Sequence, residues 1–167
     1  VNSFSKTYAM TGWRVGYIAS NEDIVDRLLQ VHSIICNVGP PTFVQEGAAE
    51  LYRMLSDPEK RKPINDVLRE CQKMRDLGFK KINEMPKITC HKPEGGGVLL
   101  VDISEVGIST NQFAKMVLQE AKVLVKPADR YNAPEHIRIS FGDPRFPEAL
   151  ERIEKLMWKI TNKSFAV

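Results

Sequence analysis

Cysteine is scarce in this chain and badly placed for cross-linking. Of 167 residues, three carry a thiol: Cys36, Cys71 and Cys90. An odd count, wide spacing and the lack of any CxxC pair exclude a disulfide framework and a cysteine-built zinc site. They predict a reducing compartment, the cytoplasm. Histidine is equally thin. His32, His91 and His136 are scattered without ligand spacing, so no metal site is expected. No run of 18 apolar residues exists, which excludes a transmembrane helix and predicts no membrane partner. The first residues lack the basic-then-apolar pattern of a signal peptide. There is no internal repeat and no low-complexity segment. Charge of one sign is also missing: 24 basic against 21 acidic residues leave a net charge of +3. The basic residues are spread along the chain, whereas a nucleic-acid binder shows a clustered excess. The one dense patch, Glu59-Lys60-Arg61-Lys62, contains its own acid and reads as a solvated helix face.

What is present is ordinary for a globular protein, with 43% hydrophobic and 27% charged residues. The length allows one domain with its own core, or one domain plus a remnant of another. The first residue is Val1, in the middle of a motif, so the chain reads as a portion of a longer natural protein. Trp13, Val15, Tyr17 and Ala19 alternate with their neighbours and predict a strand. Asn21 is a good N-cap for a helix over about 21–32, and Glu22 and Asp23 suit its first turn. After Gly39-Pro40-Pro41, Thr42 is a candidate cap for a helix reaching about residue 55. Asp57-Pro58 starts another that runs to about 83, with Pro63 placing its start in doubt by a few residues. From Pro86 the pattern changes to strands at Ile88–His91 and Val98–Ile103, with Pro93-Glu94-Gly95-Gly96-Gly97 between them. A capping box at Ser109 and Gln112 opens a helix burying Phe113, Met116, Val117 and Ala121. Short strands follow at Val123–Lys126 and His136–Phe141. A last helix opened by Pro147 turns Leu150, Ile153, Met157 and Ile160 inward. Met54, Met74, Met116 and Met157 read as core residues, and Trp158 lies off the last helix's stripe. This order predicts an α+β fold: a mostly antiparallel sheet covered on one face by helices.

The segment from Ser3 to Tyr17 carries the chemistry. It offers one amine, several hydroxyls and one guanidinium within a short span. An amine suits imine formation with an aldehyde. Hydroxyls, backbone N–H groups and a planar cation suit a phosphate. Lys6 is the candidate amine, Ser3, Ser5 and Arg14 the candidate phosphate grip, and Gly12 and Gly16 allow close backbone approach. The spacing is specific: Ser-Phe-Ser-Lys, seven residues, then Arg-Val-Gly-Tyr. It resembles, almost unbroken over residues 2–17, the cofactor-lysine motif of class I and II aminotransferases, which use pyridoxal 5'-phosphate and have fold type I.

By that resemblance Lys6 matches the lysine that carries the cofactor and moves the substrate's α-proton. Ser3, Ser5 and Arg14 match residues that hold the cofactor's phosphate. The strand His136-Ile137-Arg138-Ile139-Ser140-Phe141 puts His136, Arg138 and Ser140 on one side. By itself Arg138 reads first as a sheet-face arginine paired with a neighbouring acid. Downstream of the Lys6 motif it resembles the family's arginine for the substrate α-carboxylate. The Pro93–Gly97 loop resembles the family's hairpin near the active site. Gly97, Val98 and Leu99 stand where the family has an aromatic residue, so substrate preference stays open. The loop is no P-loop, because no Gly-Lys-Ser/Thr follows.

The resemblance implies residues 1–35 as the end of the large cofactor-binding domain, 36–85 as connecting helices and 86–167 as the small C-terminal domain. It implies transamination between an amino acid and a 2-oxo acid, and a homodimer for the full-length protein. The groups that tune the cofactor ring lie upstream of the lysine in the family, so the chain alone is expected to be inactive. The shared motifs leave two alternatives: another pyridoxal-phosphate enzyme, a carbon–sulfur lyase or a decarboxylase, or a non-catalytic isolated domain.

Overall fold

The computed structural model describes residues 1–36 and 38–163, and the chain falls into two compact units, Val1–Asp66 and Val67–Val167. In the first, a two-residue strand β1 (Asn2–Ser3) leads directly into a four-residue helix α1 (Phe4–Thr7). Thr11–Trp13 form a single 3-10 turn, and β2 (Gly16–Tyr17) returns antiparallel to β1, with Ser3 opposite Gly16. The strand expected over residues 13–19 is thus only two residues long. Its partner offers no more than two residues, and Arg14 turns into the left-handed region at φ 53°. Gly16 is required for this pairing: a Cβ there would lie 2.7 Å from the Asn2 carbonyl oxygen. Gly12, by contrast, has nothing within 4 Å of a Cβ position, so no close approach explains it.

Helix α2 (Glu22–Ile35) starts where the cap residue predicts. Asn21 Oδ1 accepts a bond from the Ile24 N–H at 3.0 Å. None of its residues is buried, and Leu29 and Ile34 are 59% and 83% exposed. Helix α3 (Thr42–Leu55) follows, but Thr42 does not cap it. Thr42 is the first helical residue, Pro41 occupies the cap position, and the Gln45 side chain binds the Pro40 carbonyl. Met54 is also not core, at 41% exposure. The buried stripe of α3 is set by Val44 and Ala48, which join Phe4 and Val15 in a small core.

Helix α4 (Pro58–Glu84) begins at Pro58, with Asp57 Oδ1 taking the Glu59 N–H, and continues through Pro63 into the second unit. The start at Pro58 is earlier than Pro63 alone would suggest. Pro58 is tolerated at the first helical position, where its missing N–H has no intrahelical partner, whereas Pro63, in the second turn, costs the helix the bond to the Glu59 carbonyl. Strands β3 (Thr89–Cys90) and β4 (Val98–Asp102) form an antiparallel hairpin around the exposed Pro93–Gly97 loop. Helix α5 (Thr110–Met116) opens on the full Ser109/Gln112 capping box and runs into a π-helical turn at Val117–Ala121. Strand β5 (Lys126–Pro127), strand β6 (His136–Ser140) and helix α6 (Phe146–Lys163) complete the unit. The expected strand at Val123–Lys126 shifts to Lys126–Pro127. Proline cannot donate to a ladder, and β5 is the edge strand of the sheet order β3-β4-β6-β5.

All pairings in this sheet are antiparallel. Leu99, Val101, Ile137 and Ile139 turn to one face and are buried with Ile82 of α4, Phe113 of α5, and Leu150, Ile153 and Met157 of α6. Leu100 and Arg138, opposite each other, point to the other face, where Leu100 is 42% exposed. The unit is therefore α+β, as the element order predicts, with one face left open for polar side chains. Met74 and Met116 pack at the margin of the core, and Trp158 is 48% exposed, off the α6 stripe.

Packing is tight at Gly78 on α4. A Cβ there would lie 2.6 Å from Leu99 Cδ1 and 2.7 Å from Phe146 Cζ, both on buried side chains. Overpacking costs about 1–3 kcal/mol, and a small gain in helix propensity offsets part of it. Gly78→Val is expected to lower stability by roughly 2 kcal/mol, read as a reduced urea midpoint at unchanged slope.

Candidate active site

Lys6 sits on α1, which its neighbours hold in place. Phe4 is buried, and its ring lies 5.4 Å from Tyr8, 6.1 Å from Tyr17 and 5.2 Å from Tyr52. Within this cluster the Tyr17 and Tyr52 rings lie 6.2 Å apart; the neighbouring Tyr17 hydroxyl raises the pKa of Tyr52, and Tyr52 and then Asn2 lower that of Tyr17. Two residues past Phe4, the Lys6 side chain is exposed, and no ion pair engages it among the described residues.

The three phosphate candidates are tied together by a continuous line of bonds. Ser3 caps α1, its Oγ accepting the Ser5 N–H at 3.1 Å. The Thr11 hydroxyl donates to the Ser5 carbonyl at 3.0 Å, and Arg14 Nη1 donates to the Thr11 carbonyl at 2.9 Å. Ser3, Ser5, Lys6 and Arg14 therefore belong to one closed loop of chain between β1 and β2. The capping bond uses an acceptor of Ser3 and leaves its O–H free to donate; Arg14 spends one of five N–H donors. The left-handed backbone at Arg14 is uncommon for a residue with a Cβ, and such conformations concentrate at functional sites. Thr11, which joins the two halves of this line, was not singled out in the sequence. Its position between Lys6 and Arg14 was the available signal.

Arg138 lies in the other unit, in the middle of β6 and on the open face of the sheet. Its guanidinium carbon sits 4.5 Å from the centroid of the Tyr131 ring. Tyr131 is held by a bond from its N–H to the Ala128 carbonyl at 2.8 Å, and Thr110 donates to Asp129 in the same turn. Arg138 thus has a defined orientation without an acidic partner among the described residues, and the plain sheet-face ion pair does not occur. His136, on the same side of the strand, engages the Pro134 carbonyl through Nδ1 at 2.6 Å.

Arg138, Ser140 and Lys126 line a groove of about 560 Å³, within the size range of small-molecule sites. The two acids in it are already committed. Asp143 binds Arg145 through both oxygens, at 3.0 and 2.9 Å, and this guanidinium holds the Asp143 carboxyl down to about 2. Glu148 pairs with Arg152. No group of three or more potential metal ligands occurs among the described residues, and no helix there is long and apolar enough to cross a membrane.

An amine thus stands beside a bonded pair of serines and an arginine, on a segment with the spacing described. The model for aminotransferase class I and II matches residues 1–153. The chain belongs to this family. It is 34% identical over 163 residues to aromatic-amino-acid aminotransferase 2 of Thermococcus litoralis and, over the same length, to an aspartate aminotransferase of Pyrococcus abyssi. Each match covers 94% of this chain and 40% of the relative. An aromatic aminotransferase structure from Pyrococcus horikoshii superposes with a TM-score of 0.79 at 31% identity, over 93% of this chain and 41% of that one. The chain thus spans about two fifths of the length of these relatives. The α+β fold expected from the sequence agrees with this membership.

Proposed function

We propose that the protein containing this chain is a pyridoxal 5'-phosphate-dependent aminotransferase of fold type I, and that this chain is its C-terminal part. It transfers an amino group between an amino acid and a 2-oxo acid in the cytoplasm, as a homodimer. Residues 1–35 then end the large domain, 36–85 connect, and 86–167 form the small domain. The observation that carries this reading is the line of bonds from Ser3 through Ser5 and Thr11 to Arg14, around an exposed Lys6. An amine, free hydroxyl donors and a planar cation are the donor set that an aldehyde bearing a phosphate requires.

When bound, pyridoxal 5'-phosphate supplies an electron sink for the substrate's α-carbon. Lys6 would hold it, and its amine would carry the proton from the substrate α-carbon to the carbon that began as the cofactor's aldehyde carbon. Ser3 and Ser5 would donate hydrogen bonds to its phosphate oxygens. Arg14 would present its remaining N–H donors to the same group, with its guanidinium held by the Thr11 carbonyl. Arg138 binds the substrate α-carboxylate in two parallel hydrogen bonds, the geometry its planar fork favours.

The test is product identity in the protein that contains this chain. With an amino acid and a second 2-oxo acid, one 2-oxo acid should form for each amino acid consumed, with neither ammonia nor carbon dioxide. Stoichiometric ammonia would favour a lyase, and carbon dioxide a decarboxylase.

A further inference from the structure

Gly47 lies in the interior of α3, where glycine weakens a helix relative to alanine. The space a side chain would take there is filled by Trp13. A Cβ on Gly47 would lie 2.5 Å from Trp13 Cζ3, 3.1 Å from Cη2 and 3.6 Å from Cε3, so the edge of the indole rests on the bare helix. Trp13 also immediately precedes Arg14. It closes the 3-10 turn, its N–H donating to the Met10 carbonyl at 3.2 Å. On the other side of Arg14, Val15 is buried in the small core with Val44 and Ala48 of the same helix, and its carbonyl accepts the Phe4 N–H at 3.2 Å. Arg14 thus stands between two residues that both seat on α3. It passes from one to the other through left-handed backbone at φ 53°.

We propose that Gly47 and Trp13 are positioning residues for Arg14: the glycine gives the indole its seat on α3, and the seated indole holds the backbone from which Arg14 reaches a phosphate. This rests on the reading of Arg14 as a phosphate-binding residue. Left-handed backbone is unfavourable for a residue with a Cβ and persists only where its surroundings hold it. Trp13 and Arg14 share a peptide group, so a turn that loses its seat loosens the conformation of Arg14 with it. A methyl group at Gly47 would take that seat. It would meet ring atoms well inside van der Waals contact, and Trp13, 45% exposed, has solvent to move into.

Pyridoxal 5'-phosphate and pyridoxal offer the same aldehyde to Lys6 and differ only in the phosphate. The protein that contains this chain, freed of bound cofactor, is titrated with each to obtain Kd. The wild type is compared with Gly47→Ala, Trp13→Ala, the double variant and Arg14→Ala. Gly47→Ala should raise Kd for pyridoxal 5'-phosphate about tenfold or more, as expected for losing a hydrogen bond to a charged group. Kd for pyridoxal should stay within about twofold by the same account. Trp13→Ala should show the same split. In the double variant the methyl group meets no indole, so its Kd should match that of Trp13→Ala alone, whereas independent sites would multiply their losses. Equal losses on both ligands would mean general damage to the loop and overturn the proposal. So would multiplied losses in the double variant, or a single variant that binds pyridoxal 5'-phosphate as the wild type does. Should Gly47→Ala fail to fold, Trp13→Ala carries the same comparison of ligands. Arg14→Ala separates the two levels of the argument. If it weakens pyridoxal 5'-phosphate alone while Gly47→Ala changes neither ligand, the positioning proposal fails by itself; if Arg14→Ala changes neither, the phosphate reading fails with it.

Discussion

Replacing Lys6 by alanine should abolish transamination. A positioned proton-transfer side chain contributes about 10²–10⁴-fold to rate, and this residue would also hold the cofactor, so the loss should reach at least that range. Lys6→Arg should be as inactive. A guanidinium keeps its proton at any working pH and serves neither as nucleophile nor as base. That failure of a charge-preserving change distinguishes a chemical role from an electrostatic one. Stability should barely move, because Lys6 is exposed and makes no ion pair among the described residues; such surface changes fall within about 0.5 kcal/mol. The check is the steady-state rate of 2-oxo acid formation beside a melting curve. A Lys6→Ala variant that keeps its rate within tenfold would count against the assignment.

The second large effect belongs to Arg138. If Arg138 binds the substrate α-carboxylate as proposed, Arg138→Ala should reduce kcat/KM roughly 10–100-fold for every amino-acid donor, through loss of charge-assisted bonds to the carboxylate they all carry. KM should rise, as the carboxylate is bound in both ground and transition states. Arg138→Lys should recover only part of the loss, since it keeps the charge but not the two-pronged donor. Loss of the stack on Tyr131 costs only about 0.5–1 kcal/mol at an exposed site, too little to unfold a unit with a continuous core. A wild-type KM in Arg138→Ala would remove Arg138 from substrate binding.

Much of the fold was legible because local signals agreed with burial. Asn21 and the Ser109/Gln112 pair cap helices where their chemistry predicts. The alternation in His136–Ser140 matches the buried and open faces of β6. The errors share a physical cause: they needed partners that a single segment does not reveal. Residues 13–19 alternate like a strand, but pairing is limited by the two residues of β1. Val123 and Leu124 have strand-like side chains, yet the ladder forms at Lys126 and Pro127, where β6 is within reach. Met54 has helical spacing like the other methionines, yet the buried stripe of α3 runs through Val44 and Ala48 and leaves it 41% exposed.

The candidate site divides in the same way. Ser3, Ser5, Lys6 and Arg14 were readable because they lie within twelve residues of each other and their spacing is specific. Thr11 was in plain sight but acts through backbone carbonyls, which leave no mark on composition or periodicity. Tyr131 was not readable, since it meets Arg138 through a turn.

The claim on which the rest depends is that Lys6 is the cofactor lysine. The protein that contains this chain should be incubated with pyridoxal 5'-phosphate, reduced with borohydride, digested and mapped by mass spectrometry. The account predicts one stoichiometric phosphopyridoxyl adduct, on Lys6, absent after Lys6→Ala. A stoichiometric adduct on any other lysine, with Lys6 unmodified, would contradict it.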